Sequence, residues 1–279
     1  MEKVLLVADA TQIDTNTLDF ACYIASLTHS KLTGIFLENV QERAFLTGPY
    51  MYADAFTGIM VEKPVADTEE IRNQCENNIR VFKDFCGKRN TGCSVYRDRG
   101  VPLDEVIHES RFADLLILDA RTSFNTQDEA APTDFAKKVL AAAECPVIIA
   151  PEHFNSIEEI VFAYDGSASS VFAIKQFTYL FPGLDEKAVT LLQVNEAGNS
   201  MVEDRLKIAE WLKSHFSAIN IMTLNGKVKN ALFGYLLDKR NTMVVMGAYG
   251  RSTVSQFFKG SSADPIIKAV NLPVFIAHH

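Results

Sequence analysis

The sequence predicts an α/β protein made of two similar halves, each a parallel sheet with helices on both faces. Three observations predict this fold: near-continuous apolar runs typical of buried parallel strands, helical segments that alternate with them, and landmarks that recur at half length. The apolar run Val4–Ala8 leads into Asp9, and a similar run leads into Asp165. The halves also close alike, since Pro146-Val-Ile-Ile-Ala150 corresponds to Pro273-Val-Phe-Ile-Ala277.

Each half is predicted to alternate strands and helices along the chain. In the first half the predicted strands are 3–9, 31–38, 93–98, 114–119 and 146–150, and the predicted helices are 14–29, 68–88, 102–111 and 133–143. In the second half the predicted strands are 159–165, 188–195, 219–224, 242–247 and 273–278, and the predicted helices are 168–180, 201–216, 228–240 and 263–270. This order predicts a doubly wound sheet, with ligands bound beyond the carboxyl ends of the strands where the winding reverses.

The chain divides at a short linker over residues 151–156. We expect one domain over 1–151 and a second over 157–279. The last strand of each half is apolar and would be an exposed hydrophobic edge if nothing covered it. We therefore expect these two strands to meet and to join the halves as an intramolecular pseudo-dimer. Whether whole chains also form a homodimer stays open.

An insert over residues 40–66 of the first half has no counterpart in the second. Its apolar side chains are Phe45, Leu46, Tyr50, Met51, Tyr52, Phe56, Ile59, Met60 and Val61. This content is too apolar for a solvated linker. Packing onto its own domain is the preferred interpretation, and a lid or a patch that covers a partner is the alternative.

The composition excludes some partners and suggests a compartment. The formal net charge of −8 argues against a surface for nucleic acid or for an anionic membrane. No apolar run approaches the ~18 residues of a membrane helix, and the chain starts directly in a strand rather than in a signal peptide, so we expect a cytoplasmic protein. The five cysteines are scattered through the first half, and we expect them to be buried reduced thiols.

The strongest local motif is Gly247-Ala-Tyr-Gly250, followed by nine residues and then by Gly260-Ser261. It connects the predicted strand 242–247 with the predicted helix 263–270. A strand, a glycine loop and a helix N-terminus in this order form a cradle for an anion, because backbone N–H groups and the helix dipole attract phosphate. The alternative is that these glycines serve only the turns of the loop.

This motif, together with Asp165-Gly-Ser167 and the closing Pro273-Val-Phe-Ile, resembles the universal stress protein family in its tandem form. The resemblance is strong over 157–279 and weaker, mostly in organisation, over 1–151. It implies two Rossmann-like domains (adenine nucleotide α-hydrolase-like), each with a five-stranded parallel sheet. It also implies an adenine nucleotide partner, ATP with or without Mg²⁺, and contacts between domains through the last strand.

Carried over residue by residue, the resemblance implies an ATP pocket in the second half. Its residues would be Ala163, Asp165, Val194, Met246, Gly247, Gly250, Arg251, Gly260, Ser261 and Ser262. Ala163 and Asp165 would face adenine and ribose, since a carboxylate accepts hydrogen bonds from ribose hydroxyls. Val194 would contact adenine through its main chain, and Met246 and Gly247 would line the pocket. The other five would form the phosphate cradle, with the arginine adding positive charge.

The first half departs from the motif at all three glycine positions. Asp119, Thr122 and Pro132 occupy them at the same spacing. Side chains would obstruct the approach of a ligand to the backbone, the proline lacks an N–H, and the aspartate would repel phosphate. We expect residues 1–151 to bind no ATP in the manner of the family. Asp9 is retained, so a different small ligand stays open.

The leading functional hypothesis is a cytoplasmic, ATP-binding regulatory protein of the stress-response type. One alternative is an ATP hydrolase or phosphotransferase. No Gly-Lys-Ser/Thr follows the loop, which is therefore no Walker P-loop, and we expect at most slow hydrolysis and no dedicated catalysis. The other alternative is a protein-interaction module whose site holds no nucleotide.

Overall fold

The computed structural model describes residues 1–38, 52–53, 60–61, 67–98, 100–125, 129–195, 205–247 and 271–277. Most of the insert 40–66 and the predicted helix 263–270 lie outside these ranges. The same holds for five of the predicted pocket residues, which are Gly250, Arg251, Gly260, Ser261 and Ser262.

The described elements follow the predicted order closely. The strands up to residue 150 are β1 (Lys3–Asp9), β2 (Lys31–Leu37), β3 (Tyr52–Ala53), β4 (Met60–Val61), β5 (Cys93–Asp98), β6 (Leu115–Asp119) and β7 (Val147–Ala150). The helices there are α1 (Thr15–Leu27), α2 (Asp67–Lys88), α3 (Pro102–Ser110) and α4 (Asp134–Ala142). The later strands are β8 (Glu159–Ala163), β9 (Ala188–Asn195), β10 (Ala218–Asn225), β11 (Thr242–Gly247) and β12 (Val274–Ala277). The later helices are α5 (Ala168–Leu180), α6 (Arg205–Lys213) and α7 (Val228–Leu237).

Ten strands form a single sheet in the order β10-β9-β8-β11-β12-β7-β6-β1-β2-β5, and β3 pairs with β4 separately. Each half contributes five parallel strands that follow the same spatial order. The α/β class with two five-stranded parallel sets is confirmed. At the centre β12 pairs antiparallel with β7, and Phe275 lies opposite Ile148 in the register.

Helices cover both faces of the sheet, as a doubly wound fold requires. Buried side chains of α1, α2, α5 and α6 pack on one face, and those of α3, α4 and α7 pack on the other. The first face contains an aromatic cluster in which the Phe275 ring lies 5.3 Å from Phe177, edge to face. Within the described ranges no helix has the length and apolar character needed to cross a membrane.

Polar side chains cap several of the helices that follow a strand. The carboxylate of Asp14 accepts a hydrogen bond from the Asn16 N–H at the start of α1, and the Thr133 hydroxyl accepts one from the Ala136 N–H at the start of α4. Such caps satisfy N–H groups that have no partner within the helix. They fix each helix start at the carboxyl edge of its half of the sheet.

The linker between the halves is held by contacts to both sides. The backbone N–H of His153 donates to the side chain of Asn271, whose amide donates back to the His153 carbonyl. The ring of Phe154 packs on α1, with centroids 4.9 Å from Phe20 and 4.7 Å from Tyr23. The linker is therefore anchored on the first half and on the segment that leads into β12.

Candidate functional site

The predicted pocket of the second half lies where the winding of the sheet reverses. Strands β8, β9 and β10 follow one another in one direction, and β11 then returns to the opposite side of β8. Ala163 and Met246 are register partners at the carboxyl ends of β8 and β11. Val194 lies on the neighbouring strand β9, near its end. Clefts at such reversal points are the usual ligand sites of open α/β sheets.

A tight turn leads from β8 into α5. The carboxylate of Asp165 accepts a hydrogen bond from the Ser167 N–H at 2.9 Å, and Gly166 between them has a φ of +80°, which favours glycine. The predicted strand 159–165 ends at Ala163 because this turn begins there. The Ser167 hydroxyl then caps α5 by accepting the Ser170 N–H at 3.1 Å. The carboxylate of Asp165 stays exposed beside the helix start.

Gly247 ends β11 directly against the first turn of α5. A Cβ at this position would lie 2.5 Å from the carbonyl carbon of Ser169 and 2.5 Å from the nitrogen of Ser170. Both serines are buried, so this backbone has little room to move. Only glycine allows this approach, which places the N-terminus of α5 at the floor of the pocket. A helix N-terminus carries partial positive charge and suits an anion.

The structure thus brings five predicted pocket residues to one edge of the sheet. They are Ala163, Asp165, Val194, Met246 and Gly247. Sequence reasoning did not include Ser167 among the site residues, although its hydroxyl fixes the helix that forms the floor. The signal that could have found it is the serine directly before the predicted helix start at residue 168, because serine is a preferred N-cap residue.

A magnesium ion would find few protein ligands in the described part of this pocket. Among the described residues, no group of three or more His, Cys, Asp or Glu side chains could hold a metal ion. The oxygen ligands on the turn are the carboxylate of Asp165 and the hydroxyl of Ser167. Magnesium commonly binds through one or two carboxylates together with phosphate and water, so these residues fit an ion that arrives with a phosphorylated ligand.

The equivalent edge of the first half contains a cleft of about 770 Å³ beside the ends of β1 and β6. Its wall includes four carboxylates, those of Asp9, Asp14, Asp119 and Glu129, and the guanidinium of Arg121. Asp119 occupies the position that corresponds to Gly247. A surplus of negative charge at short range disfavours a polyphosphate.

Arg121 binds two of these carboxylates across the cleft. Its guanidinium donates to Asp119 at 2.7 Å and to Asp14 at 2.7 Å, and it lies 3.9 Å from Glu152 in the linker. The hydrogen bond to Asp119, together with the negative charges nearby, raises the pKa of Arg121 despite the opposing effect of partial burial. This network therefore engages charged side chains that line the cleft at the strand ends.

Glu129 occupies the anion position at the N-terminus of α4. Its carboxylate accepts the Asp134 N–H at 2.7 Å. This backbone hydrogen bond is the main reason that the pKa of Glu129 lies below its ordinary value, with further hydrogen bonds from Asn125 and Ser123. The first half therefore places its own carboxylate at the N-terminus of α4, the helix that corresponds in sequence to the predicted helix 263–270.

The chain is similar to known proteins both in sequence and in structure. No protein-family model matches the sequence. The universal stress protein Slr1230 of Synechocystis sp. is 21% identical over 292 residues, covering 98% of this chain and 99% of its own length. A universal stress protein of Archaeoglobus fulgidus DSM 4304 superposes with a TM-score of 0.68 at 14% identity, covering 99% of this chain and 98% of its own. A candidate universal stress protein of Pseudomonas aeruginosa UCBPP-PA14 gives 0.57 at 14% identity, covering 100% and 93%.

These likenesses extend over both halves and not over one domain alone. The structural similarity shows the fold, and the sequence similarity to Slr1230 extends over almost the whole length of both chains. The resemblance inferred from the motifs is thereby confirmed. Along its whole length the chain is therefore similar in sequence to one universal stress protein and similar in fold to others.

Proposed function

We propose that this protein binds one ATP per chain in its second half and acts as a stress-response regulator. The observation that carries the proposal is the contact of Gly247 with the first turn of α5. This contact brings a helix N-terminus to the point where the sheet winding reverses, which is where a phosphate is best stabilised. A larger residue at position 247 would collide with the start of α5 and close the site.

The surrounding residues favour an adenine nucleotide over a bare phosphate. Ala163 and Val194 are half-buried and Met246 is buried, so the strand ends offer an apolar wall for a flat base. Asp165 is exposed beside that wall, with one carboxylate oxygen engaged by the turn. The other oxygen can accept a hydrogen bond from a ribose hydroxyl. The glycines and serines of 250–262 would complete the phosphate cradle.

We further propose that residues 1–151 bind no ATP and act as a partner domain. The support is the cleft in which Arg121 is held by Asp119 and Asp14 while Glu129 sits on the helix N-terminus. The domain over 157–279 would join it as an intramolecular pseudo-dimer, which the antiparallel pairing of β7 with β12 supports. A cytoplasmic location and the absence of dedicated catalysis are parts of the same proposal.

The test is calorimetric titration of the full chain with ATP, together with mass spectrometry of nucleotide that co-purifies. We expect about one ATP per chain. Asp165→Asn keeps the oxygen that accepts the Ser167 N–H but loses the charge that strengthens a ribose hydrogen bond, so ATP should bind about tenfold more weakly. Asp9→Asn is the matched control, because the Asp9 carboxylate accepts the Thr11 N–H in the corresponding turn of the first half, and this variant should leave ATP binding unchanged.

A nucleotide without ribose hydroxyls sharpens this experiment. The wild type should prefer ATP to 2′,3′-dideoxy-ATP, and Asp165→Asn should lose most of that preference. Comparing both proteins with both nucleotides forms a double-mutant-type cycle, which isolates the contact between Asp165 and the ribose hydroxyls. Two ATP per chain would contradict the partner role of the first half. Absence of binding at millimolar ATP would overturn the proposal and favour an interaction module without nucleotide.

A further inference from the structure

Two cysteines of the first half face each other across a helix pair. Cys22 on α1 and Cys86 on α2 are 64 residues apart in sequence, and their Sγ atoms lie 3.9 Å apart. Both side chains are buried, with exposed fractions of 1% and 0%. Helices α1 and α2 pack against each other on the same face of the sheet. A small shift of the two thiols would bring the sulfur atoms to bonding distance.

We propose that Cys22 and Cys86 form a redox modification site, in which a hydroperoxide oxidises Cys22 and Cys86 closes a reversible disulfide. The site is independent of the nucleotide pocket, which belongs to the other half. The sequence predicts only buried reduced thiols, because it does not show that two cysteines far apart in the chain are in contact.

Cys22 lines a surface cleft, which is the route that the proposal gives to a small oxidant. The cleft has a volume of about 290 Å³, and Asp19, Tyr23, Arg89 and Phe154 also line it. Arg89 is held there by an ion pair with Asp19 and by the ring of Phe85, whose centroid lies 4.2 Å from the guanidinium carbon. A fixed cation beside a thiol is the environment in which reactive cysteines are found.

The surroundings give the two thiols different roles. The hydrogen bond with Cys86 lowers the pKa of Cys22 and the charge of Arg89 lowers it further, while burial and the carboxylate of Asp19 oppose both effects. The same hydrogen bond, together with burial, raises the pKa of Cys86. The thiolate is the nucleophile in sulfur chemistry, so Cys22 is the thiol that attacks and Cys86 is the one that resolves.

The reaction balances with hydrogen peroxide as the named oxidant. The Cys22 thiolate attacks one peroxide oxygen, the O–O bond breaks, and the second oxygen leaves as hydroxide, which takes up a proton to become water. The Cys22 sulfenic acid then loses its hydroxyl as water when the Cys86 sulfur, having given up its proton, forms the S–S bond. Two thiols and one peroxide become one disulfide and two waters, and a dithiol reductant reverses the change.

Cys145 provides an internal control. It lies between α4 and β7, and its side chain packs on the opposite face of the sheet. Burial raises the pKa of Cys145 to about 12. Its thiol should therefore react far more slowly than that of Cys22.

The test treats the folded, fully reduced chain with hydrogen peroxide, blocks the remaining thiols with N-ethylmaleimide, and maps disulfides in a nonreducing digest. We expect a peptide pair joined through Cys22 and Cys86, released by dithiothreitol. Cys22 should be lost at least about tenfold faster than Cys145. In Cys86→Ser the sulfenic acid of Cys22 should persist and react with dimedone. Cys145→Ser should behave as the wild type.

Three results would overturn the proposal. The first two are a disulfide between Cys86 and Cys93, or a disulfide between two chains, as the main product. The third is that Cys22 and Cys86 are both still alkylated after a peroxide treatment that fully oxidises glutathione. Circular dichroism identifies a serine variant that fails to fold. In that case the disulfide map of the wild-type chain alone tests the proposal. Cys86→Ala and Cys145→Ala then replace the two serine variants, because alanine buries no hydroxyl.

Discussion

Gly247 and Ser169 are in backbone contact: a Cβ added to Gly247 would lie 2.5 Å from the carbonyl carbon of Ser169 and 2.6 Å from its carbonyl oxygen. The end of β11 and the start of α5 are thereby fixed against each other. A residue at the end of one strand thus determines where the helix that follows another strand can lie. The stability of the second half depends on this contact, and so does the nucleotide site that we propose there.

Gly247→Ala should lower the free energy of unfolding by about 1–3 kcal/mol, because the new methyl group forces two backbones apart. Urea unfolding followed by circular dichroism measures this change. Gly234→Ala is the control, since Gly234 lies in α7 with nothing within 4 Å of an added Cβ. Gly234→Ala should leave the free energy of unfolding unchanged or raise it by about 0.5–1 kcal/mol. Equal stability of Gly247→Ala and the wild type would refute the contact.

Arg121→Ala should destabilise the first half by about 1 kcal/mol. The variant leaves Asp119 and Asp14 facing each other without the cation between them, and the side chain of Arg121 is 49% exposed, so solvent screening limits the loss. Thermal unfolding at low and high salt measures the effect, which salt should reduce. Arg111→Ala, which removes a comparably exposed ion pair, should cost less because among the described residues Arg111 is paired with the single carboxylate of Glu144.

Glu129→Gln should lower stability at neutral pH and have no effect in acid. The pKa of Glu129 lies below its ordinary value in the folded chain, so the charged form stabilises the fold above about pH 4.3, the unfolded value. That contribution is lost as pH falls through the lower folded value. We expect about 0.5 kcal/mol at pH 7, typical of a carboxylate at an exposed helix N-terminus. Urea unfolding at pH 7 and near pH 3 checks it, and an equal difference at both would contradict it.

Phe275→Ala should be the most damaging of these substitutions, with a loss of about 3–5 kcal/mol in the free energy of unfolding. The ring is fully buried on β12, packs on Phe177 and Phe181, and lies where the two halves meet. Phe112→Ala is the comparison, because that ring is 64% exposed and its loss should cost little. Similar melting temperatures for the two variants would show that the central strands do not hold the halves together.

The fold could be predicted from the sequence because most strands inside the sheet are buried on both faces. Such strands appear as nearly unbroken apolar runs, and Val244–Met246 marked β11 correctly for that reason. Helix ends were less accurate. The helix predicted to reach residue 240 ends at Leu237. The helix predicted to reach residue 29 ends at Leu27, because Thr28 is its C-cap and His29 adopts a positive φ.

The candidate site was predictable only in outline. Strand ends must meet at one edge of a parallel sheet, which placed Ala163 and Met246 together. The network of Arg121 with Asp14 could not be predicted, because their 107-residue separation in sequence gives no sign of contact. The same applies to Cys22 and Cys86. Contacts of this kind depend on how helices rotate against the sheet, which hydrophobic periodicity does not specify.

The antiparallel pairing of β7 with β12 also determines which way each half faces. Within each half the strands are parallel, so reversing direction at the centre makes the carboxyl ends of the first half neighbour the amino ends of the second. The cleft with Arg121 and the pocket at Gly247 therefore open at opposite ends of the molecule. A single small ligand cannot touch both, and a binding partner that grips one end leaves the other accessible. Any influence of one end on the other has to pass through the sheet or through the linker that crosses beside it.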